Sequence, residues 1–489
     1  MTTHAVRRGL HGGAAVALGQ LCKIAIQLIG MVALSRILSP ADFGLIAMVT
    51  VFLAFGELLR DFGMPTAALQ ARTLSQQQAS NVFWINVALG AAAALALVVA
   101  TPALVVFYSE PRVAQIAPIM AVTLLLNGIQ AQLQVQLARG SKFIALASTD
   151  VVAQTAALVV AIAAAASGLG YWALVLQVLT AALTLLAGRM IVARWWPSRP
   201  RRNGGETGVL VRAGGQFGLA QLLTFGANNV DSLAIGAYWG PTQLGLYNRA
   251  FQIFVLPRSA LLDPMTQVVV PTANSAREAG ATHEVLLLRL QFGLSALVGY
   301  VYMLGAAVAS WAIPFALGPQ WVDAVPIFMI LAAGGTFAAL GSVNFWAFVL
   351  AGQSKQLLVL HLVTKPLAIA LVLLALPFGV TAIAVGYVLA VALSWPINLI
   401  WLSRTTGQHS WAFFRDGGRV LLAVAVGLAA AAGLSGVVGT PDSWQTALLC
   451  GLASTLAFLL ALAAIPGGWE RIRASLAVAT SLLRRAGAE

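Results

Sequence analysis

Charge is what this sequence has least of. Only 9% of its 489 residues are charged against 60% hydrophobic, a balance that excludes a soluble globular chain. Cysteine is nearly missing too: Cys22 and Cys450 both fall within apolar runs, so neither a disulfide framework nor a metal site is suggested. The five histidines are scattered and add no ligand spacing. The chain has no phosphate-binding loop, dinucleotide fingerprint or nucleophile motif, so an ATP-driven pump and a membrane hydrolase gain no support. No cofactor and no metal is expected. Short alternating segments are absent as well, and with them a large β-barrel.

What is present is a series of apolar runs, each about 20 residues long, the length that crosses a bilayer as a helix. They fall at 14–36, 43–62, 82–106, 113–136, 147–168, 170–192, 214–238, 243–269, 285–309, 324–350, 357–377, 379–402, 418–438 and 444–465. The expectation is an all-α polytopic membrane protein with about fourteen transmembrane helices. Arg7 and Arg8 precede the first run in the manner of a signal peptide. That run is too long and carries Lys23, so it reads as an uncleaved span.

The basic residues orient the chain. With the N-terminus inside, 22 of the 28 lie in cytoplasmic segments, Arg36 and Arg112 lie outside, and Lys23, Arg249, Arg258 and Lys365 lie within spans. This bias places both termini in the cytoplasm. The formal charge of +13 is then a topology signal with some attraction for anionic lipid, and calls for no nucleic-acid partner.

A repeat organises the whole. Gly13, Leu18, Gln20, Leu21, Ala33, Pro40, Gly44 and Leu45 match Gly214, Leu219, Gln221, Leu222, Ala234, Pro241, Gly245 and Leu246, each 201 positions on without a gap. An offset of that size points to two repeated helical bundles rather than a solenoid. The chain therefore divides into a six-helix half at 1–192, a basic linker at 193–212, a second six-helix half at 213–402, and 403–489 with two accessory helices and a tail. The linker carries Trp195-Trp196-Pro197 and then Arg199, Arg201 and Arg202, read as a positive-inside signal or as a contact for lipid phosphate. In the tail Trp469, Ile472, Leu476 and Leu483 share one side and Arg471, Arg473, Arg484 and Arg485 lie largely elsewhere, the pattern of an interfacial helix.

Polar residues inside apolar runs mark the candidate site. Gln20, Lys23 and Gln27 are spaced three and four apart and stack on one helix face. Gln221, Thr224, Asn228 and Asp231 form the second stripe. Such stripes face a watery cavity or hydrogen-bond between helices; for Lys23 the cavity is favoured. Glu57, Arg60 and Asp61 share a face at a cytoplasmic helix end, and Arg258 is the repeat counterpart of Glu57. They read either as a cytoplasmic gate or as a solvated helix end. In the second half Arg249 lies toward the outer end of its helix and Asp263 toward the cytoplasmic end, while His361, Thr364 and Lys365 precede Pro366. A proline there suggests a kinked helix beside a cavity.

The turn Leu38-Ser39-Pro40-Ala41-Asp42-Phe43-Gly44-Leu45 suits a helix stop followed by a new start, with Ser39 or Asp42 as cap. Together with Phe55, Leu59-Arg60-Asp61-Phe62-Gly63, Gln70, Phe83-Trp84 with Asn86, Gly90, Gly245-Leu246-Tyr247-Asn248-Arg249-Ala250-Phe251 and Leu256-Pro257, it resembles the oligosaccharide flippases of the multidrug/oligosaccharidyl-lipid/polysaccharide exporter superfamily, especially the colanic-acid exporter branch. The resemblance covers roughly residues 10 to 400. It implies a V-shaped alternating-access bundle in the bacterial inner membrane. The implied cargo is an undecaprenyl-diphosphate-linked oligosaccharide, carried from the cytoplasmic to the periplasmic leaflet for exopolysaccharide or lipopolysaccharide assembly. A polysaccharide polymerase and chain-length machinery are implied partners, and ion coupling is an implied energy source.

Charge type separates the options within that superfamily. Cationic drugs call for carboxylates, and a lipid diphosphate calls for fixed positive charge. The span interiors offer Lys23, Arg249, Arg258 and Lys365 against Glu57, Asp231 and Asp263, a modest cationic lean. Lys23, Gln27, Asn228, Arg249 and Lys365 are accordingly the candidate substrate pathway. Asp231 is the candidate coupling carboxylate, with structural hydrogen bonding as its other reading. The alternatives are a multidrug exporter, a peptidoglycan-precursor flippase and, without a large loop to hold the chemistry, a membrane glycosyltransferase or polymerase.

Overall fold

Ser39 and Asp42 set the first helix boundary by capping each other's backbone. The Ser39 amide donates to Asp42 Oδ2 at 2.9 Å and the Asp42 amide to Ser39 Oγ at 3.3 Å, a reciprocal capping box with Pro40 at the first helical position. In the computed structural model α1 accordingly spans Thr2–Ile37 and α2 spans Pro40–Asp61. Described are residues 2–61, 74–200, 206–278, 283–406, 410–465, 471 and 473, with the backbone alone at 2–18, 61, 206–224, 227, 267–268, 270–278, 283–285 and 354.

The chain continues as α3 (Gln76–Tyr108), α4 (Val113–Arg139), α5 (Phe143–Ala166), α6 (Trp172–Ala193) and α7 (Glu206–Glu278). Then follow α8 (His283–Leu317), α9 (Ala324–Ala333), α10 (Gly335–Leu350), α11 (Ser354–Ala375), α12 (Val380–Thr406), α13 (Ser410–Val438) and α14 (Trp444–Ala464). Among the described residues twelve helices are long and apolar enough to cross a membrane, α9 and α10 together making one of them. Each matches one expected span. The other two expected spans, 214–238 and 243–269, fall in α7, which is broken at Gly240. They carry Asn228, Asn229, Asp231, Thr242, Gln243, Asn248, Arg249 and Gln252 and are absent from the twelve. Fourteen is therefore the sequence count and twelve the number that length and composition support.

Two compact units emerge, Met1–Gly245 and Leu246–Glu489, so the expected linker at 193–212 falls inside the first. In that unit α3 packs along α4, α5 along α6 and α1 along α5. Glycine allows the closest of these approaches. A Cβ at Gly90 would stand 2.7 Å from the Leu124 carbonyl oxygen, and one at Gly128 would stand 2.7 Å from that of Asn86.

A second crossing joins the repeat to itself. A Cβ on Gly44 would run into the Pro241 carbonyl, and a Cβ on Gly245 would run into the Pro40 carbonyl. The contact is reciprocal because both glycines and both prolines are repeat partners. The break that permits it is Gly240, whose φ of 76° lies where L side chains are strained.

Within the unit Leu246–Glu489, α8 is the hub, touching α9, α10, α13 and α14. Phe292, Ala296 and Met303 of α8 bury against Val420, Ala423 and Val424 of α13 and Phe458 and Leu462 of α14. The accessory pair is thus fastened by an apolar seam. Arg471 of the tail ion-pairs with Asp416 of α13 and lies over the Phe292 ring. Trp469, Ile472, Leu476, Leu483, Arg484 and Arg485 lie outside the described residues, as do Arg201 and Arg202 of the linker.

Candidate functional site

Four helices of the first unit converge on one carboxylate that the sequence did not single out. Asp150 sits two turns into α5, and its Oδ2 accepts from Lys23 Nζ of α1 at 2.7 Å. Its Oδ1 accepts from Arg189 Nη2 of α6 at 2.8 Å. Arg189 Nη1 also donates to the side-chain oxygens of Gln130 and, at 3.1 Å, Gln134, one turn apart on α4. Arg189 is 4% exposed, so a guanidinium is held in an apolar setting by one carboxylate and two amides. Lys23 and Asp150 are more open, with side chains 27% and 23% exposed.

Lys23 is therefore an ion-pair partner as well as a stripe residue. Gln20 and Gln27 flank it on the same helix face and both are exposed. The missed signal was modest: Asp150 is the one acidic residue in an otherwise neutral 24-residue helix, and Arg189 stands alone likewise in α6. An intramembrane charge of either sign implies a partner of the other.

Glu57 on α2 accepts from Asn127 Nδ2 of α4 at 2.7 Å, and Arg60, one turn on, is buried at 7% exposure. The expected gate residues of this unit thus point into packed helices rather than into solvent. Asp61 ends α2, and its side chain lies outside the described residues. In α7 Asn228 is exposed while Asp231 is buried and accepts from the Ser232 amide at 2.8 Å. Gln221 and Thr224 lie outside the described side chains.

The F-W pair of the sequence resemblance gains a reason in this unit. Residues 194–200 form no regular element and lie along the start of α3. Trp84 Nε1 donates to the Ser198 carbonyl at 3.0 Å, Trp195 Nε1 to Gln76 Oε1 at 2.6 Å, and Gln77 Nε2 to the Arg199 carbonyl at 3.0 Å. Phe83 meets the Trp195 ring edge-on at 5.9 Å. The basic linker starts as a strap tied to one helix face.

In the second unit Arg249 is 6% exposed. It donates to Gln252 Oε1 at 2.7 Å, and its guanidinium carbon lies 5.4 Å from the centre of the buried Trp321 ring. A flat cation over an aromatic face is well suited to remain charged in an apolar place. Arg258 is exposed, and its charge is felt by half-buried Lys365, whose own charge is felt by His361. Arg258 and Lys365 thus bring two positive charges near His361 on α7 and α11, while Asp263 is exposed. The pathway candidates divide accordingly: Lys23 and Gln27 share the first unit with Asn228 and Asp231, and Arg249, Arg258 and Lys365 belong to the second.

A profile described as "Polysaccharide biosynthesis protein" matches residues 33–326. The chain belongs to that family. Among relatives of this polysaccharide biosynthesis protein, the teichuronic acid biosynthesis protein TuaB of Bacillus subtilis is 25% identical over 68% of this chain and 70% of its own. The succinoglycan biosynthesis transport protein ExoT of Rhizobium meliloti is 27% identical over 61% and 60%. The lipopolysaccharide biosynthesis protein WzxC of Escherichia coli is 20% identical over 65% of each chain. The aligned part thus spans 60 to 70% of these relatives.

Among solved structures, a lipid II flippase MurJ in an inward closed conformation superposes with a TM-score of 0.70 at 12% identity, covering 91% of this chain and 97% of the other. An inward-facing multidrug resistance transporter of the MATE family, itself of the MOP superfamily, superposes with a TM-score of 0.59 at 14% identity, covering 80% and 96%. Identities so low speak to fold alone, and the fold is that of the superfamily the sequence resembles.

Proposed function

We propose that this protein carries a polyprenyl-diphosphate-linked oligosaccharide from the cytoplasmic to the periplasmic leaflet of the bacterial inner membrane, for the assembly of an exported or surface polysaccharide. The observation that carries the reading is family membership: the chain is a polysaccharide biosynthesis protein built as a helical membrane bundle. One relative is named a succinoglycan biosynthesis transport protein. Intramembrane charge supports it. Cations in both units suit an anionic diphosphate, and polar stripes beside apolar helices suit a headgroup moving through water while its tail stays in lipid.

In this reading Lys23, Gln27, Asn228, Arg249 and Lys365 line the pathway. Asp231 carries the coupling proton, and Glu57, Arg60, Asp61 and Arg258 close the cytoplasmic end. Both termini are cytoplasmic, and the delivered unit passes to a polysaccharide polymerase and chain-length machinery.

The test is a deletion strain with extraction of lipid-linked sugars. Accumulation of a polyprenyl diphosphate bearing a complete oligosaccharide, relieved by the wild-type gene, is the expected result. Accumulation of the peptidoglycan precursor would transfer the protein to that substrate, and an unchanged lipid pool would refute the reading.

A further inference from the structure

The cluster around Asp150 is arithmetically unbalanced. Lys23 and Arg189 bring two positive charges to a single carboxylate, and the other groups bonded there, Gln130 and Gln134, are neutral. Its two ends also differ. Arg189 is enclosed, whereas the Lys23–Asp150 pair is about one quarter exposed and lies between the exposed amides Gln20 and Gln27. Arg189 Nε, buried, has no hydrogen-bond partner among the described residues. A site with a surplus cation, an accessible lysine and amides on either side is built for an anion, and Asp150 occupies the position that an incoming phosphate oxygen would take on Lys23.

We infer that Lys23 and Arg189 form a phosphate-binding site in the first unit and that Asp150 is its resident counter-ion. Asp150 keeps both cations positioned while the site is empty and yields Lys23 when a diphosphate arrives. Arg189, fixed by Gln130 and Gln134, holds Asp150 in place throughout. No bond is made or broken; one ion pair is exchanged for another. The inference rests on the flippase reading for the identity of the anion, a lipid-linked diphosphate, but not for the existence of the site.

The physical reason for such an arrangement is release. A bare pair of cations in an apolar setting binds a diphosphate tightly and lets it go slowly, whereas an internal carboxylate competes for the same ammonium and weakens the hold. Asp150 is thus a positioning residue whose removal strengthens binding and slows turnover. A merely structural Asp150 would do neither.

The experiment is titration of purified full-length protein in detergent with inorganic pyrophosphate, at low salt and neutral pH. Asp150→Asn should bind pyrophosphate tighter than wild type by roughly tenfold. Asp150→Glu should bind like wild type, and Lys23→Met should bind more weakly than wild type. Against loss of folding in Asp150→Asn, the same comparison is made between Lys23→Met and the Lys23→Met/Asp150→Asn pair, in which the neutralised site carries Arg189 alone. Tighter binding by the double variant than by Lys23→Met supports the inference. Equal binding in that comparison, or equal binding by a folded Asp150→Asn and wild type, overturns it. Polymer export is scored separately in cells: Asp150→Asn should lower the export rate at normal protein level, with rescue by Asp150→Glu. Tighter pyrophosphate binding with no lipid-linked sugar accumulating in the deletion strain would keep the site and refute the flippase reading. The reverse pattern would refute the site alone.

Discussion

The turns at Ser39-Pro40 and Gly240-Pro241 occupy equivalent places in the two repeats and interrupt the helix by different chemistry. The first relies on side chains, with Ser39 and Asp42 capping α2. The second relies on a backbone angle that glycine adopts freely. Both deliver a proline to the start of a helix and a glycine five residues after the break, and the two glycines meet the two prolines. Charge sign does not follow the repeat, and the one equivalent charged pair named above, Glu57 and Arg258, is opposite in sign. At the same offset Lys23 corresponds to Thr224, Asp150 to Ala351, Arg249 to Met48 and Lys365 to Ala164. Symmetry therefore belongs to the scaffold and asymmetry to the chemistry.

The sharpest break of that comparison is at the glycine crossing. Gly44→Ala and Gly245→Ala each drive a methyl group into a carbonyl of the opposite repeat, at an expected cost of about 3 kcal/mol or more. Both should sharply reduce folded protein in membranes, while Gly433→Ala, with nothing near its Cβ position, should not. An effect at one glycine but not the other would end the claim of a reciprocal contact. Quantifying detergent-extracted, monodisperse protein checks it.

Next in size are the charges that the repeat does not share. Lys23→Ala and Lys365→Ala should each lower polymer export on the order of tenfold, the scale for losing one charged contact, at near-normal protein levels. Export rates normalised to membrane content test this. Wild-type export by both would remove the cationic-pathway argument from both units at once.

Smaller effects belong to the turns. Ser39→Ala loses one half of a capping box, at about 1 kcal/mol. Gly240→Ala forces a side chain into positive φ, at about 1–2 kcal/mol. Thermal melting in detergent should rank Gly240→Ala at or below Ser39→Ala, and the opposite ranking would mean that the second break does not depend on its glycine.

Much of this was legible in the sequence because membrane helices and turns are written locally. Apolar length placed fourteen spans, of which twelve correspond to helices long and apolar enough to cross a membrane among the described residues, and Ser39, Pro40 and Asp42 announced the cap. The spans expected at 214–238 and 243–269 are the two outside that set, since Asn228, Asp231 and Arg249 lower the hydropathy of helices that the repeat nonetheless requires. Lys23 was read as a pathway residue from its helix face alone. Its partner Asp150 lies 127 positions away on another helix, and no periodicity reports a contact of that range. The strap at 194–200 escaped for the same reason: the linker's sequence shows only its basic charge, and the hydrogen bond from Gln76 to the Trp196 carbonyl exists only once α3 and the linker are folded together.

The claim that the asymmetric charge serves an anionic substrate is tested most directly by measuring polymer export and resistance to cationic dyes in one host carrying Arg249→Lys or Asp231→Asn. Arg249 packs as a flat fork over Trp321, and lysine keeps the charge but neither the fork nor the stacking. The account predicts that Arg249→Lys loses export and that neither variant changes dye resistance, with Asp231→Asn losing export insofar as Asp231 carries the coupling proton. Full export by both variants, together with dye resistance lost in Asp231→Asn, would contradict it.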